Sequence, residues 1–215
     1  MQDTVQKLLD PMRGVLAADE SDHTIAKRFG DLGIESTPET HRIYRQMLFA
    51  APDIEKYLSG AILFDETARQ STDDGVPFPE YLTKKGIIPG IKVDRGLEKF
   101  NGTDETITRT NDGLGERLKV YAEMGLKFTK WRAAFKISDI FPTDALLEED
   151  LSRMAEYAKI AQDNGFVPFV EPEVLLTGNH TTTRCELVET KVLQILFKKL
   201  KEIEVDFQIE MAPVL

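Results

Sequence analysis

Five short apolar runs, each closing on charge and each followed by a helical pattern, constrain this chain more than any other feature. They are Gly14–Ala18 before Asp19, Gly60–Phe64 before Asp65 and Glu66, Ile87–Asp94 with Lys92 and Asp94 near its end, Lys127–Arg132, and Gly165–Glu173. Strict alternation of strand and helix argues for an α/β fold with a parallel sheet. A doubly wound sheet gathers function at one switch-point crevice, whereas a barrel converges all its strand ends on one centre. Charge at five successive strand ends therefore favours the barrel, and 215 residues are enough for one large domain or two small ones. No G-x-G-x-x-G follows the first strand and no P-loop is present, which argues against nucleotide binding.

The helices are read from apolar spacing and caps. Residues 2–10 form a short amphipathic helix, with Val5, Leu8 and Leu9 to one side, broken by Pro11. Ser21 and Thr24 lead into a second helix that stops by Gly30 or Gly33. Thr37-Pro38 is a strong start, hydroxyl cap then proline, for a helix reaching about Ala51 with Ile43, Met47 and Leu48 inward. Short helices cover 77–85 and 112–124, the latter with Leu114, Leu118 and Tyr121 on one face. Thr143 caps a helix whose stripe is Leu147, Leu151, Met154, Ala158 and Ala161. The helix from about Thr183 to Ile203 turns Val188, Val192, Leu196, Leu200 and Ile203 inward. Residues 101–104 and 178–180 read as loops, and Phe207-Gln-Ile-Glu-Met211 as the start of a sixth strand.

Lys130 and Arg132 are two apart and share one face of their strand, as do Glu171 and Glu173. Two cations on a buried face are costly unless paired, so the first strand is either an edge whose long side chains snorkel to water or part of a polar site. Lysines ending one strand and glutamates ending another suit a site at the C-terminal ends of the strands.

With Lys+Arg 27 against Asp+Glu 37, net charge -10, and no basic block, nucleic acid is not an expected partner. No apolar run approaches the ~20 residues that span a bilayer, and Met1-Gln-Asp-Thr4 has no signal-peptide character, so no membrane association is expected. The single cysteine, Cys185, suits a reducing cytoplasmic compartment and reads as a packing residue at a helix start. A metal-dependent lyase using Asp94, Glu171 and Glu173 is the competing enzyme reading. His23, His41 and His180 lie at no ligand spacing and read as surface residues, so no metal is expected.

Leu-Ala-Ala-Asp-Glu-Ser21, Gly-Ile-Lys-Val-Asp94, Lys-Trp-Arg132 and Val-Glu-Pro-Glu173 occur in this order, each at a strand end. With the Thr-Pro-Glu39 helix start and Asp-Asp-Gly-Val-Pro-Phe78, they closely resemble class I fructose-bisphosphate aldolase over about residues 5–205. The resemblance implies a (β/α)8 TIM barrel of glycolysis and gluconeogenesis, as a single domain over residues 1–215. Such an enzyme cleaves fructose 1,6-bisphosphate reversibly to dihydroxyacetone phosphate and glyceraldehyde 3-phosphate, through a lysine Schiff base and without metal or cofactor. It also implies a homotetramer for the full-length family. Carried over by motif, Asp19 handles protons at the hydroxyl of the breaking C–C bond. Lys130 stabilises charge during carbinolamine formation and dehydration, Glu171 is the general acid/base, and Glu173 holds the nucleophilic lysine. Ser21, Thr24, Lys92 and Arg132 are implied at the distal sugar phosphate.

Two departures accompany the resemblance. Five units between residues 18 and 209 average about 38 residues, so eight need roughly 300, above the usual ~250 for a barrel. The chain therefore carries about five and a half units and is expected to be truncated in its sixth strand. The family's Schiff-base lysine sits on that strand in a Leu-Leu-Lys-Pro-Asn-like run, where this chain reads Ile209-Glu-Met-Ala-Pro-Val-Leu215, and no lysine follows Lys201. The alternative to an active aldolase is accordingly an inactive aldolase fragment serving, if at all, in binding or assembly.

Overall fold

The computed structural model describes residues 1–206; the sixth-strand reading at Phe207–Met211 lies outside them. Among the described residues seven strands and eight α-helices follow in order: α1 Gln2–Leu8, β1 Gly14–Ala18, α2 Asp22–Asp31, α3 Pro38–Phe49, β2 Leu58–Leu63, α4 Asp65–Ala68, α5 Phe78–Lys84, β3 Ile88–Lys92, β4 Leu97–Lys99, β5 Thr106–Thr108, α6 Leu114–Glu123, β6 Phe128–Phe135, α7 Asp144–Asp163, β7 Val167–Val174 and α8 Thr182–Glu202. They fall into two compact units. The first comprises Met1–Lys92 and Leu118–Thr129, the second Val93–Arg117 and the described residues from Lys130 on.

In the first unit β1, β2 and β3 pair in parallel, with Val15 opposite Gly60 and Gly60 opposite Ile88. The next strand enters as β6 begins, where the Lys127 N–H donates to the Pro89 carbonyl at 2.9 Å. Glycine at 60 and 90 lets side chains lie against the backbone here. A Cβ on Gly90 would stand 2.3–2.5 Å from the Phe128 ring, and one on Gly60 2.6 Å from Leu8. Leu8 and Phe128 are both fully buried. The buried Ser59 hydroxyl donates to the Leu8 carbonyl at 2.8 Å, tying the end of α1 to the sheet.

Thr37 caps α3 through a reciprocal box with Thr40, and Pro38 supplies the first helical residue. The helix is rotated from the expected orientation. Ile43 and Met47 are exposed, and His41, Arg45 and Phe49 are the buried residues. The cause is electrostatic: the two inward polar side chains meet the carboxylates of Glu66 and Glu20, so their burial is compensated.

In the second unit β6 runs beside β7, and β7 is the last strand of its sheet among the described residues. Helix α7 buries Leu147, Leu151, Met154, Ala158 and Ala161 as the spacing requires, and α8 buries Val188, Val192, Leu196 and Leu200; Ile203 is half-buried. Trp131, from β6, stacks on Tyr157 of α7 with ring centroids 5.2 Å apart. The Leu175 N–H donates to the Phe135 carbonyl, so the odd-numbered N–H groups of this strand point toward β6. The even positions that point away include Pro168 and Pro172, neither with an N–H to offer. Residues 101–104 are loop, as expected, and form the tip of an antiparallel hairpin absent from the sequence reading, in which Leu97 pairs with Thr108 and Lys99 with Thr106. Its strands have three residues each, too short for a period to register.

Candidate active site

In the second unit the alternation along β6 sends Trp131 into the helix layer and Lys130 and Arg132 to the opposite face. Lys130, with a side chain only 10% exposed, is buried rather than snorkelling, and its Nζ lies 3.0 Å from Glu171 Oε2 on β7. Two residues further along both strands, Arg132 Nε donates to Glu173. That bond raises the guanidinium above its ordinary value against an opposing effect of burial, with the Glu173, Glu171 and Asp94 charges adding to it. Asp94 Oδ2 accepts from the Arg132 backbone N–H at 3.3 Å, and Oδ1 from the Gly96 N–H at 3.2 Å.

Behind Arg132, the Thr108 hydroxyl donates to its carbonyl at 3.1 Å and reaches Asp150 of α7 at 3.4 Å. Asp150 is fully buried. Burial pushes its carboxyl up to about 6, even though the Thr108 N–H and hydroxyl and the Arg153 charge pull it down. The paired rows are thus two cations and two carboxylates on adjoining strands, braced from the hairpin and from α7.

In the first unit Asp19 is 7% exposed, directly after β1, and Lys92 closes β3 half-buried. Ser21 is the N-cap residue of α2, and its Oγ lies 3.2 Å from Thr24 Oγ1. Between Asp19 and Ser21 sits Glu20, a residue the motif reading passed over. Its carboxylate accepts from Arg28 and from Arg45, and from the Tyr44 hydroxyl at 3.3 Å; Arg45 also donates to the Glu20 carbonyl at 3.1 Å. Burial pushes this carboxyl up, but the Arg45 bond and charge, with Arg28, outweigh it and hold it below the usual carboxylate range. Arg45 is 1% exposed. The sequence signal that could have found it is the four-residue repeat His41, Arg45, Phe49, a helix face with two polar members.

His41, expected at the surface, is 6% exposed. Its Nδ1 lies 2.8 Å from Glu66 and its Nε2 2.8 Å from the Ser36 hydroxyl. Cys185 is half-buried in the first turn of α8. Among the described residues no helix is long and apolar enough to cross a membrane.

The residues expected to end their strands lie within them, Lys130 and Arg132 in β6, which runs on to Phe135, and Glu171 and Glu173 in β7, which ends at Val174; parallel strands joined by helices, with such pairs on adjoining strands, define an α/β protein. The class-I fructose-bisphosphate aldolase family model matches residues 1–211, and the chain belongs to that family. A probable fructose-bisphosphate aldolase class 1 of Xanthomonas axonopodis pv. citri is 46% identical over 203 residues, which are 94% of this chain and 61% of that protein. The fructose-bisphosphate aldolase 7, cytosolic, of Arabidopsis thaliana is 48% identical over 198 residues, 92% of this chain and 55% of the relative. A solved fructose-bisphosphate aldolase of Plasmodium falciparum, in complex with TRAP and a small-molecule inhibitor, superposes with a TM-score of 0.91 at 45% identity, covering 94% of this chain and 59% of that one. The fold is accordingly that of a partial (β/α)8 barrel. The chain spans about 55–61% of the length of these curated relatives.

Proposed function

We propose that this chain carries the N-terminal part of a class I fructose-bisphosphate aldolase site, acting on a phosphorylated sugar through a lysine Schiff base. The observation that carries the reading is the 3.0 Å Lys130–Glu171 pair, a buried cation in contact with a carboxylate on the adjoining strand. The Schiff base forms when a neutral lysine amine adds to the C2 carbonyl of fructose 1,6-bisphosphate. Glu171, in its acid form, protonates the carbinolamine hydroxyl, which leaves as water and yields the iminium. Lys130 lowers the proton affinity of a neighbouring amine and stabilises developing negative charge. Asp19 then takes the proton of the C4 hydroxyl. The C3–C4 bond breaks, its electron pair moves into the iminium to give an enamine, and glyceraldehyde 3-phosphate departs. Protonation and hydrolysis of the enamine return dihydroxyacetone phosphate and the free amine.

Ser21, Thr24, Lys92 and Arg132 serve the distal phosphate, and Glu173 positions the nucleophile. The nucleophile is the family's sixth-strand lysine, and no lysine follows Lys201 in this sequence. A cytoplasmic location belongs to the same proposal, supported by a relative named as cytosolic.

Calorimetric titration of fructose 1,6-bisphosphate into the 215-residue chain tests the reading. Saturable binding is expected, weakened about tenfold or more by Lys92→Ala, since a hydrogen bond to a charged group contributes ~1.5–3 kcal/mol. Absence of binding, or equal binding by wild type, Lys92→Ala and Arg132→Ala, overturns it.

A further inference from the structure

The first unit holds a second convergence of ligating side chains, apart from Asp19, Ser21 and Thr24. Asp22, His41 and Glu66 each present one nitrogen or oxygen, and the three atoms lie within 4.8 Å of one another. They come from three elements: Asp22 opens α2, His41 faces inward from α3, and Glu66 lies in α4. The Asp22 side chain has no hydrogen-bond or ion-pair partner among the described residues, so two carboxylates converge on one buried imidazole. With its proton on Nδ1 the ring donates to Glu66 at 2.8 Å. When the Ser36 hydroxyl instead accepts the Nε2 proton at 2.8 Å, Nδ1 turns a lone pair toward the Glu66 carboxylate. That is the arrangement of a metal-bound histidine, in which the outer N–H is held by a hydrogen-bonding partner and fixes the tautomer.

We propose that Asp22, His41 Nδ1 and Glu66 bind a divalent transition-metal ion of the zinc type, with water in the fourth position. One imidazole and two carboxylates are ligands such an ion accepts. A tetrahedral site with bonds of ~2.0–2.2 Å spaces its ligands about 3.4 Å apart. The 2.8 Å His41–Glu66 contact opens slightly to reach that value. The exposed Asp22 carboxylate closes on it by rotating about its side-chain torsions. The ion takes the place of the proton shared between His41 and Glu66 and adds Asp22 to the pair. Its effect is structural: it pins the start of α2, immediately after Ser21, to α3 and α4.

The test is thermal unfolding of the full 215-residue chain, stripped with EDTA and then titrated with Zn2+, beside Asp22→Asn and His41→Gln. Zn2+ at ~100-fold over its dissociation constant is expected to raise the wild-type Tm by roughly 5–10 °C. Calorimetry is expected to give one ion per chain. Asp22→Asn changes an exposed group and leaves the fold intact, so its loss of most of the shift isolates the ligand. Should His41→Gln not fold, Asp22→Asn alone decides. A wild-type Tm indifferent to Zn2+, or a shift of equal size in Asp22→Asn, overturns the proposal.

Discussion

Asp150→Asn gives the most quantitative test of how the candidate active site is braced. The carboxylate is fully buried on α7 and accepts the Thr108 N–H at 3.3 Å, next to the hydroxyl that holds the Arg132 carbonyl. Its carboxyl titrates near 6 in the fold, against an ordinary aspartate value of 3.8. The folded state therefore holds a proton that the unfolded chain has released. Below pH 3.8 both states are protonated and nothing is lost. Stability then falls as pH rises through the interval and levels off above 6. At about 1.4 kcal/mol per pH unit the whole loss is about 3 kcal/mol, of which about 2 kcal/mol falls between pH 4.5 and 7. Asparagine keeps an acceptor for Thr108 and cannot ionise. Urea unfolding of both proteins across pH 4.5–7 is expected to give a difference, wild type minus variant, that declines by about 2 kcal/mol. Any offset from altered hydrogen bonding is constant with pH and drops out. Parallel curves would refute the claim that burial, rather than the Thr108 bonds, governs this carboxyl.

Other perturbations read different parts of the molecule. Arg45→Ala leaves the Glu20 carboxylate buried with Arg28 as its remaining cation, and a loss of ~3–5 kcal/mol is expected in urea unfolding; a loss under ~1 kcal/mol contradicts the role given to Arg45. Gly90→Ala drives a methyl into the Phe128 ring and should cost ~1–3 kcal/mol, whereas Gly30→Ala in α2 meets nothing within 4 Å and should gain up to ~1 kcal/mol; equal effects would show that the close approach is absent. Borohydride treatment of the 215-residue polypeptide with dihydroxyacetone phosphate should leave every lysine unmodified by mass spectrometry, because Lys130 already pairs with Glu171; a stoichiometric adduct on Lys130 would reassign it as the nucleophile.

The long elements were legible because burial is set by period. The α7 stripe and the inward positions of α8 follow from spacings of three and four, and β1 and β2 stand where the apolar runs are. The α3 face was misread because its sequence offers Ile43, Met47 and Leu48 as an apolar strip, while the fold turns His41 and Arg45 inward. Hydropathy cannot foresee that choice, which depends on carboxylates 25 residues away in either direction. In the candidate site, spacing within a strand placed Lys130 with Arg132 and Glu171 with Glu173 on shared faces. Which cation meets which carboxylate is a matter of register between strands, and only the structure supplies it.

The prolines of β7 bear on what can lie alongside that strand. Of the four backbone nitrogens that point away from β6, two belong to Pro168 and Pro172, leaving Val170 and Val174 as donors. The outer margin is thus rich in carbonyl acceptors and poor in N–H groups. A neighbouring strand is accepted there only if its own donors meet those carbonyls while it asks for few in return. Two copies of this margin laid together would leave carbonyls facing carbonyls, so the strand discriminates against its own kind.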